Sequence, residues 1–487
     1  MEKQVDSQSF DHSKETLAED IISEHDSTPV KFVKTTEEKA FVRKLNWTVL
    51  PVIFLIVFIQ FCDKSALSVA AVLGIKEDNN ITGSQFSWVG SIFYLGYLIC
   101  QVPNNYLIQK YPTGRYLGSV LIVWGFVMAA TALCHTFSQL MALRFLLGLF
   151  EGVTYPCVYI ILNTLYRRSE QSSCWGFLGI STGMGTVFGV LIAYGLYHMD
   201  NIAGLRAWRW GYIVFGIMTV LIGILTFFCL VDNTHHKLLR LTEKELDIVE
   251  ERTRDNCVVR VKEIKSEQRW EALKEPRLYL IFFMNLFNCL QNGGLVTFST
   301  ILVEGLGFSA FNSIILQIPN GVVSAAFAIG AVWVANRVHH TTFTAIGTAS
   351  ISLVGCIILS AVPGMPKLVG LYLSWAMTGV GSLTQTLVST NVSGYTKRNF
   401  YNAVNMVAMT FGNFIGPLLM IDNQAPGYFG AMTGFSIANA ALIVCLIINY
   451  ILMKNENKRR IANPPTTPTD VYLDLTDAQD RNILYKL

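Results

Sequence analysis

Charge is almost absent from a series of stretches in this chain, each about as long as a bilayer is thick. The apolar runs fall at about 47–73, 87–108, 116–134, 138–164, 172–196, 210–231, 278–302, 311–334, 342–362, 368–391, 401–421 and 430–453. A hydrocarbon core needs roughly 20 apolar residues per helix, and runs this long without strict alternation exclude a closed barrel. Only 15% of the 487 residues are charged, where a soluble chain carries roughly a quarter. The charges collect at the two ends, near 232–277 and at short interruptions between runs. A charge at mid-membrane costs at least ~2.5–3.5 kcal/mol, so this placement is the one lipid demands. The fold expected is an all-α membrane protein of about twelve transmembrane helices.

Alternate loops differ in basic charge. One set carries Lys44, Lys110, Arg115, Arg167, Arg168, Arg337, Lys397, Arg398, Lys454, Lys458, Arg459 and Arg460; the other holds little beyond Lys76, Arg206 and Lys367. Basic loops stay inside, which puts both termini in the cytosol. Five segments follow: a disordered, acid-rich cytosolic arm without a signal peptide (1–44), a six-helix bundle (45–231), a cytosolic linker (232–277), a second six-helix bundle (278–453) and a cytosolic tail (454–487). Within the linker, Thr242-Glu243-Lys244-Glu245 reads as a capping box opening a short helix through Arg254. The sequon Asn80-Ile81-Thr82 falls in the first outside loop.

Several function classes drop out. No GxxxxGK[ST] loop is present to hold nucleotide phosphates, so the driving force is an ion gradient or the solute's own. No basic patch with interleaved aromatics suggests nucleic acid. The ten Cys contain no CxxC and mostly sit inside apolar runs, as small packing residues do. His135, His198, His339 and His340 fall in loops, with no nucleophile–base pair or metal-ligand spacing around them. Neither an enzyme, a metal site nor a cofactor is expected. The reading is a transporter with the bilayer as its medium.

Four ionisable residues stay inside the spans: Asp63 and Lys64 in the first, Arg144 and Glu151 in the fourth. Such groups usually face a cavity and mark a pathway. Counted from their span ends at 1.5 Å per residue, Asp63 and Arg144 lie within about 6 Å of one level. Arg144 and Glu151, seven apart, share a helix face that Gly148 and Gly152 keep narrow. With all four ionised the cluster is neutral; protonating one carboxylate leaves it positive by one. An organic anion would then be attracted, with Arg144 offering a bidentate seat. Either Asp63 or Glu151 could take the proton, and Glu151 is favoured because it lies nearer the midplane. The second half offers amides instead. Asn285, Asn288, Gln291 and Asn292 precede Gly293-Gly294, where a broken helix is expected. Gln291 and Asn292 are the leading solute contacts there, with Trp375 and Gln385 of the tenth span beside them. Asn320, Asn402, Asn405 and Asn413 fit interhelical hydrogen bonds. Glycines 179, 183, 185 and 189 fit close packing, and Trp208-Arg209-Trp210 fits an interfacial anchor.

These residues carry a resemblance. Arg144-Phe-Leu-Leu-Gly148-Leu-Phe-Glu151-Gly152 resembles the fourth-span signature of the anion:cation symporter branch of the major facilitator superfamily. Asp63-Lys64 is similar to that branch's Asp-Arg pair. Asn292-Gly293-Gly294 with Phe298, Leu316-Gln317-Ile318-Pro319, Asn391-Val-Ser-Gly394-Tyr-Thr-Lys397-Arg398, Gly412-Asn413-Phe-Ile-Gly416-Pro417 and Ala425-Pro426-Gly427-Tyr428 resemble the fungal allantoate permease family, as do Asn457-Lys458-Arg459-Arg460 and Asp480-Arg481-Asn482. The likeness runs from about 45 to 487. It implies a monomeric plasma-membrane symporter, or one of the endoplasmic reticulum or Golgi, that takes up a small organic anion with a proton. A vitamin-like carboxylate such as nicotinate leads; allantoate, ureidosuccinate, pantothenate or a small peptide is the alternative, as is a nutrient receptor that keeps the fold without transport. Two departures stand out: the loop from Asn104 to Arg115 lacks the superfamily's acidic gating residue, and Lys64 replaces an Arg.

Overall fold

The structure is a computed structural model that describes residues 36–233, 237–239, 241–242, 245–246, 248–249, 265–463, 475–480 and 482–487. Helices dominate, and no strand occurs among the described residues. Twelve helical passes can be followed: α1 (Thr36–Val72), α2 (Gly83–Lys110), α3 (Thr113–Ala130), α4 (Phe137–Glu151 and Thr154–Leu165), α5 (Arg168–Tyr197), α6 (Ala207–Cys229), α7 (Pro276–Glu304), α8 (Ala310–Ile315 and Ile318–Val338), α9 (Thr341–Ala361), α10 (Pro366–Ser374 and Met377–Asn391), α11 (Tyr395–Leu418) and α12 (Phe429–Ala462). Among the described residues, nine of these are long and apolar enough to cross a membrane. The other three, α2, α10 and α11, carry more amide and hydroxyl side chains, and the whole set is consistent with twelve spans.

The sequence marks many of the ends. Thr82 accepts from the Gln85 backbone N–H while Gln85 returns a bond to Thr82, a complete capping box at the head of α2. Thr136 and Ser309 cap α4 and α8, and Pro276 opens α7 where its missing N–H costs nothing. The boundaries correct three expectations. Helix α1 starts at Thr36, so part of the expected arm is ordered; residues 1–35 lie outside the described residues. The fourth, eighth and tenth spans are each interrupted, at 152–153, 316–317 and 375–376. The seventh, where a break was expected, is continuous. Gly293 and Gly294 instead let α7 approach its neighbours: a Cβ on Gly293 would meet the Asn413 backbone of α11, and one on Gly294 the Phe435 ring of α12. Close packing of glycines recurs at Gly185 and Gly189 against α1 and at Gly148 against the Phe93 carbonyl of α2.

Of the linker's expected helix, Glu245 accepts from the Thr242 N–H at 2.9 Å and pairs with Lys44 at 3.1 Å; 250–264 lie outside the described residues, as do Cys257 and Arg481. Trp208 is no interfacial anchor. It is buried, donating to Asp78 at 2.8 Å, while Arg209 caps the Ala132 carbonyl at 2.6 Å. In the loop without the gating acid, Gly114 N–H at the head of α3 is held by Asp232 at 3.0 Å.

The halves meet on the side expected to be outside. Ser68 of α1 bonds Thr300 of α7 at 2.8 Å, Ser87 of α2 donates to the Met420 carbonyl at 3.1 Å, and Asp422 accepts from the Gly83 N–H at 3.0 Å. Phe86 lies edge-on to Phe298, which meets Tyr428 in turn. Toward the ends expected to be cytosolic, Gln385, Asn402 and Asn405 form an exposed amide ladder on α10 and α11. The Ser68, Ser87 and Asp422 contacts join the two halves at the end expected to face outside.

The tail is docked. Asp477, fully buried, pairs with Lys397 of α11 at 2.8 Å and with Arg277 of α7. The Tyr485 ring lies between the Arg277 and Arg460 guanidiniums, at 4.3 and 4.4 Å from its centre. Asn391 of α10 exchanges two bonds with Lys486, and the Leu487 carbonyl caps Thr341 of α9.

Candidate functional site

On helix α1, Asp63 and Lys64 lie three and four residues after Gln60, so each neighbours Gln60 while the two diverge from one another. Helix α4 presents Arg144 and Glu151 opposite. Glu151 is buried and held from two sides, by Lys64 Nζ at 3.2 Å and by Gln60 Nε2 at 3.0 Å. Asp63, also buried, accepts from the Trp124 indole N–H of α3 at 2.8 Å. Arg144 donates to the Tyr212 hydroxyl of α6 and lies with its guanidinium 5.5 Å from the centre of that ring. All four sequence-identified ionisable groups therefore gather inside one half.

The pairing differs from a simple Asp63–Arg144 bridge. Lys64, adjacent to Asp63 in sequence, reaches instead to Glu151, because consecutive helix residues point in different directions. Exposure also separates the two cations. Arg144 is 4% exposed, while the Lys64 side chain is 21% exposed and its ammonium lies over the Phe61 ring at 4.8 Å. Glu151 Oε2, Gln60 Oε1 and Asp63 Oδ1 are buried without a hydrogen-bond partner, which is costly in a protein interior. A proton on Glu151 Oε2 would turn one of these three unmet acceptors into a donor.

In the second half, Gln291 is fully buried. Its Nε2 donates to the Ser374 carbonyl at 2.7 Å, and its Oε1 accepts from Ser352 at 3.1 Å and Asn439 at 2.6 Å. Asn292 is part-buried and donates to Asn413 at 2.7 Å. Trp375 is the first residue of the break in α10, its indole N–H buried and unpartnered. Gln385 sits in the exposed amide ladder with Asn402 and Asn405, and no bond joins it to Gln291 or Asn292. Gln60, Trp124, Tyr212, Ser352 and Asn439 were missed in the sequence. Gln60 was within reach through its place one turn from Lys64; the rest are neutral residues whose spans give no sign of their facing.

Twelve helical passes in two halves, with a charged cluster buried inside the first, are the build of a polytopic membrane transporter rather than an enzyme. The sequence profile of the Major Facilitator Superfamily matches residues 53–417, and the chain belongs to that superfamily. Within it the chain groups with fungal relatives. It is 32% identical over 482 residues to an allantoate permease of Saccharomyces cerevisiae, covering 94% of this chain and 88% of that one. A thiamine pathway transporter of the same yeast is 31% identical, covering 91% and 85%. Among solved structures, a D-xylose–proton symporter superposes with a TM-score of 0.63 at 14% identity, covering 82% and 97%. A bacterial homologue of the human lysosomal transporter Spinster, inward-facing and unoccupied, gives 0.62 at 15% identity, covering 82% and 94%. At those identities the structures speak for the fold.

Proposed function

We propose that the chain is a proton-coupled symporter of a small organic anion, with a vitamin-like carboxylate such as nicotinate the leading class and allantoate, ureidosuccinate or pantothenate the alternative. The observation that carries this reading is the Lys64–Glu151 pair, whose acid is buried and whose ammonium is part-exposed. At 3.2 Å and an effective dielectric near ~20, the attraction is about 5 kcal/mol. A proton on Glu151 cancels it. Lys64 then stands as an unpaired, part-exposed ammonium, and a solute carboxylate can take the seat that Glu151 held. Arg144, held by Tyr212, adds positive potential beside it. Proton and anion thus bind together, and the neutral, occupied cluster is the form that can cross between the two facings. Asp63, held by Trp124, keeps its charge against Arg144 in this scheme. The plasma membrane is the proposed location.

The test is uptake of radiolabelled nicotinate, pantothenate, allantoate and ureidosuccinate into vesicles of a yeast lacking related carriers, with and without an inward proton gradient. Accumulation of at least one above equilibrium only with the gradient supports the reading. Gradient-independent equilibration of all that enter would overturn it.

A further inference from the structure

Beside the docked tail, several basic groups are answered by acids. Arg277 pairs with Glu275 at 3.0 Å and with Asp477, Lys397 with Glu271, Glu275 and Asp477, and Arg460 with Glu456 at 3.1 Å. Lys274 differs: it is exposed, and no acid pairs with it among the described residues. It ends the short helix Ser266–Lys274 that precedes α7. Gln268 and Ala272, four apart, bury one face of that helix, and Gln268 accepts from the Thr396 and Lys397 N–H groups at 3.1 and 3.2 Å. The opposite face leaves Trp270 64% exposed with Leu273 beside it. Tyr279 of α7 donates its hydroxyl to the Leu273 carbonyl at 2.8 Å, so the end of the short helix is tied down and Lys274 is held at the head of α7.

A groove opens at that place. Helices α7 and α12 close on one another further along, where Gln291 accepts from Asn439 at 2.6 Å and Gly294 gives room to the Phe435 ring. At the head of α7 they leave a groove of about 420 Å³, walled by Tyr279, Leu280 and Phe283 of α7 and by Ile448 and Leu452 of α12, with Lys274 also lining it. Its volume is within the range that bound small molecules fill, roughly 300–1,000 Å³. The walls are apolar, and the tyrosine hydroxyl is already spent on Leu273. Tyr279 and Leu452 stand at the ends of the apolar runs 278–302 and 430–453, the depth at which hydrocarbon gives way to headgroups. Exposed Trp and Tyr side chains belong at that depth. Arg459, seven residues after Leu452, continues the same face of α12 about 10 Å beyond it and is 73% exposed. An apolar slot at the hydrocarbon edge with cations past its mouth complements a ligand that is apolar at one end and anionic at the other. The basic loops put this end on the cytosolic side, where the anionic lipids of a membrane collect.

We propose that the groove between α7 and α12 is a binding site for one anionic phospholipid, with an acyl chain along Phe283 and Ile448 and the phosphate on Lys274. Arg459 adds positive potential outside the mouth, and Tyr279 is a positioning residue that holds Lys274 over the groove. The site is independent of the solute that the chain carries.

The experiment is native mass spectrometry of the purified full chain in detergent, titrated with dioleoylphosphatidylglycerol or dioleoylphosphatidylcholine, which share acyl chains and differ in net charge. The expected result is a first phosphatidylglycerol bound about fivefold tighter than phosphatidylcholine, the size of one lysine's attraction to an anionic headgroup. Lys274→Gln should bring the ratio to near one with phosphatidylcholine unchanged. Lys367→Gln, which removes the same charge at the opposite end of the second half, should leave the ratio as it was. Ile448→Trp, a change on an exposed wall residue, should fill the groove and weaken the first site for both lipids. sn-Glycerol 3-phosphate, which has the charge without the chains, should not compete. Equal affinity for the two lipids in the unaltered chain, or an unchanged ratio in Lys274→Gln, would overturn the proposal. Competition by glycerol phosphate would do so in favour of a free phosphate site, and a dimer that Ile448→Trp abolishes, with no lipid preference, in favour of a second copy of the chain.

Discussion

Lys64 and Glu151 are joined at 3.2 Å across α1 and α4, with the acid sealed from solvent and the lysine side chain part-exposed. The asymmetry assigns the two halves of coupling to two residues. The buried partner is the one whose charge is expensive and whose neutralisation changes the pair most.

The two cations should then fail differently. Lys64→Gln is expected to raise the KM for the anion at least about tenfold, and to leave the folded state measurable by thermal unfolding. Arg144→Gln removes the partner of Tyr212 and the countercharge of buried Asp63, so it is expected to lower the unfolding temperature as well as uptake. Radiolabel kinetics and thermal melts of the two variants, side by side, check this.

Trp124 acts through Asp63. Trp124→Phe keeps the ring and removes the N–H that donates at 2.8 Å. Losing such a bond to a charged acceptor costs about 1.5–3 kcal/mol. The expected outcome is a shifted pH profile of uptake with little change in KM at the acid optimum. Tyr212→Phe, which strips the hydroxyl from Arg144, should act in the same direction. A pH–rate series on both variants reads the effect.

The docked tail makes a prediction of its own. Burial alone would raise the Asp477 carboxyl, but the Arg277 and Lys397 charges beside it outweigh burial and hold it below the usual carboxylate range. A depressed folded value means that the tail's anchorage is complete above the ordinary carboxylate range and is lost as pH falls through the depressed one. Asp477→Asn should lower the melting temperature at neutral pH by several degrees, with the gap to the unaltered chain closing in strong acid. Deleting residues 475–487 should do at least as much, because it uncovers Lys397 and Arg277 together.

At the outer seal, Ser68 and Thr300 meet at 2.8 Å. A Ser68→Cys, Thr300→Cys pair should cross-link readily under oxidation in this arrangement of the halves and stop uptake, which a reductant restores. Gel mobility and uptake measured before and after reduction check both parts.

Much of this was readable from the chain. The all-helical membrane fold follows from where the bilayer tolerates charge, a constraint strong enough to be seen residue by residue, and the same constraint marks the four ionisable groups that the structure gathers together. The pairing was not. Sequence spacing puts Lys64 beside Asp63, yet the register of α1 against α4 delivers it to Glu151, and register depends on packing such as Gly148 against Phe93. The helix breaks were misplaced for a related reason. Gly293-Gly294 looks like a weak point in isolation, but α11 and α12 crowd it and hold the helix straight, whereas Trp375-Ala376 carries no local signal of its break. Trp124, Tyr212, Ser352 and Asn439 are neutral, and only the assembled bundle shows what they hold.

The most direct measurement of proton coupling is accumulation of a carried anion in proteoliposomes under an imposed inward proton gradient, comparing the unaltered protein with Glu151→Gln, alongside exchange at equal pH. If Glu151 takes the proton, Glu151→Gln keeps exchange and loses gradient-driven accumulation, because its amide leaves Lys64 permanently free. Full gradient-driven accumulation in Glu151→Gln would contradict the assignment.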